Sequence, residues 1–214
     1  VGSGSNGKSK FLELLKRFIG QENMSSTELD VIIKSHFESS RLFKKLACIM
    51  GETNFNVLNK TNKLKTLTGQ DLYGFEFKGK NLFEDYNYAK ILIATNTLPL
   101  TLDKTIGFYR RWCIIDFRNT FSEDKDILKD IPEEEYKNLA KKTIRILKEL
   151  YEKRNFSKEG DIEHRKERYE EKSNPLKMFI KEECEIGKNY EVFFSDFFAT
   201  YIGFLNQRGY RIQN

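Results

Sequence analysis

The first nine residues have the types and spacing for phosphate chemistry. Val1 to Ser9 reads VGSGSNGKS, which contains the phosphate-loop pattern Gly-x-x-x-x-Gly-Lys-Ser. Gly2, Gly4 and Gly7 allow a tight turn whose N–H groups converge on phosphate oxygens, with Ser3, Ser5 and Asn6 completing the cradle. The Lys8 ammonium would sit on the β- and γ-phosphates of ATP, and the Ser9 hydroxyl would ligate Mg2+. Two more polar residues stand where apolar runs end. Leu46–Met50, LACIM, is followed by Gly51 and Glu52. A carboxylate at the end of a buried strand could hold the magnesium ion or polarise an attacking water. Ala89–Pro99, AKILIATNTLP, places Asn96 at the end of a second run. Its amide could orient water against the γ-phosphate, or simply stabilise the turn before Pro99.

Two basic pairs complete the set. Arg110 and Arg111 precede the apolar stretch WCIIDF. A guanidinium reaching a neighbouring subunit's γ-phosphate would act as an arginine finger; the plainer alternative is a surface pair that bonds carboxylates. Lys78 and Lys80 flank Gly79 between aromatic residues. They could contact nucleic-acid phosphates or serve only the solubility of an exposed hairpin.

These residues need a particular scaffold. Lys8 to Ile19, KSKFLELLKRFI, has helical spacing, so the loop opens onto a helix N-terminus, which favours anions. A strand leads into such a loop, and the sequence starts one residue before Gly2, so that strand is expected upstream in a longer protein. Ser25-Ser26-Thr27-Glu28 predicts the cap of a short helix through Ile33. Leu46–Met50 and Ala89–Pro99 read as buried strands, Trp112–Phe117 as a third, and Tyr73–Phe83 as a hairpin with a basic tip. Pro132 to Tyr151 predicts a long helix with one apolar face. Lys153–Lys172 is dense in both charge signs and reads as a solvated helix or linker. Two more helices are expected over Pro175–Glu182 and Ser195–Gln207, the second rich in aromatics.

The bulk properties limit the classes. With 214 residues, 39% hydrophobic and 32% charged, the chain can bury one core and a small appendage. A net charge of +5 permits a polyanionic partner. No apolar run approaches the roughly 20 residues of a membrane helix, and no signal peptide is visible. Cys48, Cys113 and Cys184 are isolated, with only His36 and His164 beside them, so no zinc pattern exists. A reducing, cytoplasmic compartment is the expectation.

Four segments, in order, resemble the superfamily 3 helicases of the phage, plasmid and poxvirus-type primase-helicase group. They are GSGSNGKS at Gly2–Ser9, LKTLTGQD at Leu64–Asp71, ILIATNTLP at Ile91–Pro99 and GFYRRWCIIDF at Gly107–Phe117. The resemblance implies an AAA+-like α/β fold, a parallel sheet flanked by helices, with a small, mostly helical winged-helix-like segment behind it. The corresponding divisions are a P-loop ATPase core over 1–122, a helical lid and charged linker over 123–173, and the start of a winged-helix-like domain over 174–214. It implies ATP and Mg2+ held between subunits of a hexameric ring, with Arg110 or Arg111 supplied in trans. Single- or double-stranded DNA would pass the ring, touched by Lys78 and Lys80, and an upstream primase-polymerase domain would complete the protein. The expected activity is ATP-dependent DNA unwinding in replication, in a prokaryotic cell carrying a virus, plasmid or provirus. The sequence departs from the group at Gln70, which replaces a second glycine, and at the lone carboxylate Glu52. Two rival readings use the same loop: a small-molecule phosphotransferase, and an inactive DNA-binding module from a provirus.

Overall fold

The computed structural model describes residues 1, 5–51, 57–121, 126–157 and 159–207. The chain is mixed α/β. A parallel three-stranded sheet carries it, built from β1 (Met24–Ser26), β2 (Ala47–Met50) and β6 (Lys90–Ile93) in the order β1-β2-β6. Met24 pairs with Ala47, Cys48 with Ile91 and Met50 with Ile93. All four residues of β2 are buried, as a central parallel strand covered on both faces requires. Alternation sorts its side chains. Ala47 and Ile49 join Met24 and Leu92 beneath Leu12, Leu15 and Ile19 of α1 (Lys8–Ile19). Cys48 and Met50 face the larger core, with Leu29, Ile32, Leu64, Phe108 and Tyr169.

β1 escapes the sequence reading. Ser25 and Ser26 belong to this short strand and cap nothing. The helix after them, α2 (Leu29–Lys34), has Glu28 at its N-cap without a side-chain cap bond. Three residues, two of them serine, carry too little apolar pattern to announce a strand; β2 supplies the pairing that makes one.

Smaller elements surround the sheet. β3 (Val57–Leu58) and β7 (Leu100–Thr101) form a short parallel pair. Between them lie α3 (Asn62–Leu67) and the antiparallel hairpin of β4 (Leu72–Phe75) and β5 (Phe83–Tyr86). Phe43 packs against Phe75, Phe77 and Phe83 where the hairpin's ladder meets its loop, with centroid separations of 5.5, 6.1 and 4.8 Å.

Trp112–Phe117 is not a strand. A one-turn helix, α4 (Ile106–Tyr109), precedes it, and the segment then runs without a ladder. The Val1 amino group donates to the Ile115 carbonyl at 2.7 Å, and Phe117 N–H donates to the Val1 carbonyl at 2.9 Å. Among the described residues only Val1 bonds to it in this way, and one residue does not make a strand pair.

The charge-dense stretch contains a helix, as one of its two readings had it, but that helix is anchored in the core rather than solvated. After α5 (Glu133–Lys153), none of whose residues is buried, α6 (Ile162–Ser173) returns to the core. Its Tyr169 is 1% exposed, packs on Phe108 and Trp112, and donates to the Pro99 carbonyl at 2.8 Å. Arg168 and Lys172 of α6 pair with Asp116 at 3.2 and 3.0 Å, fixing the segment that runs beside Val1. The charges hid the helix's single anchoring aromatic. α7 (Pro175–Glu183) and α8 (Phe194–Gln207) form a separate small core in which Phe179 meets Phe197, Tyr201 and Phe204. No described helix is long and apolar enough to cross a membrane.

Candidate functional site

The loop of the opening motif is described from Ser5. Gly2, Ser3 and Gly4 lie outside the described residues, as does Glu52. Gly7, at φ 84°, is the N-cap of α1, and a left-handed conformation at that position suits glycine. Phe121 N–H donates to the Ser5 carbonyl at 2.9 Å, which ties the loop to the segment that follows Trp112–Phe117.

Asn6 organises the loop from within. It is 4% exposed, and its Nδ2 donates to the Phe117 carbonyl at 3.2 Å. Its Oδ1 accepts from the Lys8 Nζ at 3.1 Å. Lys8 is itself only 6% exposed, and its Nζ also donates to the Asn96 Oδ1 at 3.0 Å. A buried ammonium needs acceptors, and among the described residues two neutral amide oxygens are supplied to it. Ser9 is exposed on the first turn of α1, so its hydroxyl is available as an oxygen ligand.

Asn96 reaches this position from the end of β6. The ladder continues one step beyond the strand, with Ala94 N–H donating to the Met50 carbonyl at 3.1 Å. The chain then turns through Thr95, whose hydroxyl donates to the Thr97 carbonyl at 2.5 Å. The loop, Asn96 and the end of β2 thus share the carboxyl edge of the parallel strands, where open α/β sheets bind ligands. Gly51, at the end of β2, leads toward Glu52.

The two arginines differ. The Arg111 guanidinium donates to the carbonyl of Lys65 at 3.2 Å and to that of Gly107. Arg110 is exposed, and its side chain has no partner among the described residues; only its backbone is engaged, its N–H donating to the Ile106 carbonyl at 3.1 Å and its own carbonyl accepting from Arg165 at 3.3 Å. No hydrogen bond joins either arginine to the loop or to Asn96 among the described residues. Lys78 and Lys80 are exposed at the tip of the hairpin on either side of Gly79, whose φ is 76°. Lys80 Nζ lies 5.8 Å from the Phe77 ring centroid.

One cluster near α4 escaped the sequence reading. Asp103 accepts from Thr61, Lys65 and Thr105. Burial works against its charge, but these hydrogen bonds outweigh it and hold its carboxyl well below the usual carboxylate range. The available signal was Asp103 two residues ahead of Thr105, an arrangement suited to a local turn bond.

The family model described as a family of unknown function, DUF5906, matches residues 1–111, just over half of the chain. No curated protein matches. Two solved structures of the apo C-terminal region of NrS-1 are similar. One is 24% identical with a TM-score of 0.40, covering 64% of this chain and 31% of that one. The other is 19% identical with a TM-score of 0.38, covering 64% and 32%. This chain therefore spans about a third of the length of those chains.

Proposed function

We propose that this chain, which belongs to the DUF5906 family, is the AAA+-like motor of an ATP-dependent DNA helicase. The observation that carries the reading is the contact between Lys8 and Asn96, 3.0 Å apart at the carboxyl edge of the parallel sheet. A phosphate-binding lysine and a water-orienting amide have to share one small volume, and these two residues do. Lys8 and the amides of the Gly2–Ser9 loop bind the phosphates. When phosphate arrives, the Lys8 ammonium exchanges amide oxygens for phosphate oxygens, which frees the Asn96 amide to hold a water. Ser9 and Glu52 are the residues that would hold Mg2+. The exposed Ser9 hydroxyl fits that role, and the bound ion would neutralise charge on the transferring phosphate.

Hydrolysis on this reading needs positioning and charge stabilisation rather than a covalent intermediate. Arg110 is the better candidate for the finger given to a neighbouring subunit. Its guanidinium is exposed and uncommitted among the described residues, whereas Arg111 is tied to carbonyls of its own chain. Lys78 and Lys80 contact DNA as it passes a hexameric ring. Residues 1–122 form the motor core, 123–173 the lid and linker, and 174–214 the start of a winged-helix-like domain. An upstream primase-polymerase domain and a cytoplasmic setting complete the proposal.

The test is ATP hydrolysis by the full-length protein with and without single-stranded DNA, with Lys8→Ala as the control. Stimulation by DNA, lost in the variant, supports the motor. Phosphoryl transfer indifferent to DNA would favour the phosphotransferase. Nucleotide and DNA binding without turnover would indicate an inactive module.

A further inference from the structure

Arg110 follows a helix only one turn long, and such a turn does not sustain itself, because the first hydrogen bond fixes several dihedrals at once. Phe108 and Tyr109 of α4 are buried, each 1% exposed, and anchor one side. Polar contacts hold both ends. Ahead of the helix, Asp103 Oδ1 accepts from the Thr105 N–H at 3.0 Å and from its hydroxyl at 2.6 Å. Asp103 Oδ2 accepts from Lys65 Nζ at 2.8 Å and from the Thr61 hydroxyl at 2.5 Å. Behind the helix, Arg111 bonds the Gly107 carbonyl within α4 and the Lys65 carbonyl in α3. Lys65 therefore holds the start of α4 through its side chain and the end through its backbone.

Gly69 makes room for this arrangement. A Cβ at that position would stand 2.9 Å from the Lys65 carbonyl oxygen and 3.3 Å from an Arg111 guanidinium nitrogen. Lys65 is also poorly placed to contact DNA, because its charge is already matched by a carboxylate whose side chain is only 10% exposed.

We infer that Lys65, Asp103 and Arg111 form a clasp that aims Arg110 at a neighbouring subunit's nucleotide. They are positioning residues: none needs to touch the nucleotide. The inference rests on the reading of Arg110 as the arginine finger. A displaced finger slows the chemical step while leaving the phosphate loop, and hence ATP binding, intact.

The test is steady-state ATP hydrolysis by the full-length protein over a range of ATP concentrations. Arg110→Ala is expected to lower kcat by about 10³-fold or more. Lys65→Met and Asp103→Asn should each lower kcat by roughly 10- to 100-fold, with KM for ATP changed less than about threefold. Lys65→Arg, which keeps the donor and the charge, should recover most of the loss. Asp103→Asn added to Arg110→Ala should cost little more, because the clasp acts through Arg110. If Arg110→Ala is severe but Asp103→Asn leaves kcat unchanged, the clasp is wrong and the finger stands. The clasp is equally wrong if Asp103→Asn costs the same factor with or without Arg110. If Arg110→Ala leaves kcat unchanged, the finger fails and the clasp with it. Melting curves separate any variant that fails to fold, and the epistasis then rests on Lys65→Met.

Discussion

The Nζ of Lys8 lies 3.0 Å from the Oδ1 of Asn96, although 88 positions separate them in sequence. One residue opens α1 on one side of the sheet; the other ends a turn after β6. The sheet's parallel register brings them to the same edge, and Asn6 closes the group from the loop side at 3.1 Å. Among the described residues the ammonium meets two neutral amide oxygens, which a phosphate can replace.

Asn96→Ala should separate binding from chemistry. Loss of one preorganised polar group at a developing charge is expected to lower kcat about 10²- to 10³-fold, with KM for ATP within a fewfold of wild type. Without nucleotide, Lys8 loses an acceptor, so the protein should become less stable by about 1 kcal/mol. Kinetics and thermal melting of the same preparation check both.

Tyr169 should be the costliest single truncation in the charged stretch. Its ring sits 5.1 Å from that of Phe108 and 5.0 Å from that of Trp112. Tyr169→Ala should destabilise by about 3–5 kcal/mol through the cavity it leaves. Tyr169→Phe, which only strands the Pro99 carbonyl, should cost about 1 kcal/mol. Equal costs in denaturant titrations would contradict the packing role.

The hairpin lysines should alter binding without altering the fold. Lys78→Ala and Lys80→Ala are exposed-tip changes and should stay within about 0.5 kcal/mol of wild type in stability. Each should weaken DNA binding and reduce the slope of log affinity against log salt by about 1. Fluorescence anisotropy with single-stranded DNA at several salt concentrations reads that slope.

Cys113 should be a slow nucleophile. The residue is exposed, yet desolvation of its thiol group, with the hydrogen bond the thiol gives Glu159 at 2.9 Å, pushes its pKa up to about 11. At pH 8 it should carry on the order of 100-fold less thiolate than an ordinary cysteine and alkylate correspondingly slowly. The folded state holds this proton more tightly. The resulting stability is present below the ordinary thiol pKa and is lost as pH rises through about 11. Glu159→Gln should speed alkylation, read by mass spectrometry.

Asp103 runs in the opposite direction. Its folded carboxyl is held below the ordinary range, so the stability it contributes is present above an ordinary aspartate pKa and fades as pH falls below it. The stability difference between wild type and Asp103→Asn should be constant from pH 7 to 5 and shrink below about pH 4. A gap that widened on acidification would contradict the clasp's charge state.

The sequence disclosed the elements whose residues repeat with a clear period or sit in fixed motifs. The helix after Gly7 and the run at Leu46–Met50 lie where their patterns place them, the run Ala89–Pro99 contributes a strand over Lys90–Ile93 only, and the aromatic hairpin exists but its return strand, Phe83–Tyr86, lies past the Tyr73–Phe83 stretch. What stayed hidden depends on partners. Met24–Ser26 is a strand only because β2 lies beside it. Trp112–Phe117 has strand-forming residues but pairs with Val1 alone among the described residues. In α6, one buried tyrosine decides the packing of a helix otherwise written in charges. The difference between Arg110 and Arg111 was also illegible, because it depends on which guanidinium meets the carbonyls of Lys65 and Gly107.

The most direct test of the motor reading mixes two dead variants. Lys8→Ala lacks a working phosphate loop, and Arg110→Ala lacks a finger. Each alone should hydrolyse ATP at least about 10³-fold more slowly than wild type in the presence of single-stranded DNA. Mixed, they should regain a measurable fraction of DNA-stimulated hydrolysis, because an intact loop on one chain meets an intact Arg110 on another. Full activity of Arg110→Ala alone, or a mixture no more active than its components, would contradict a site shared between subunits.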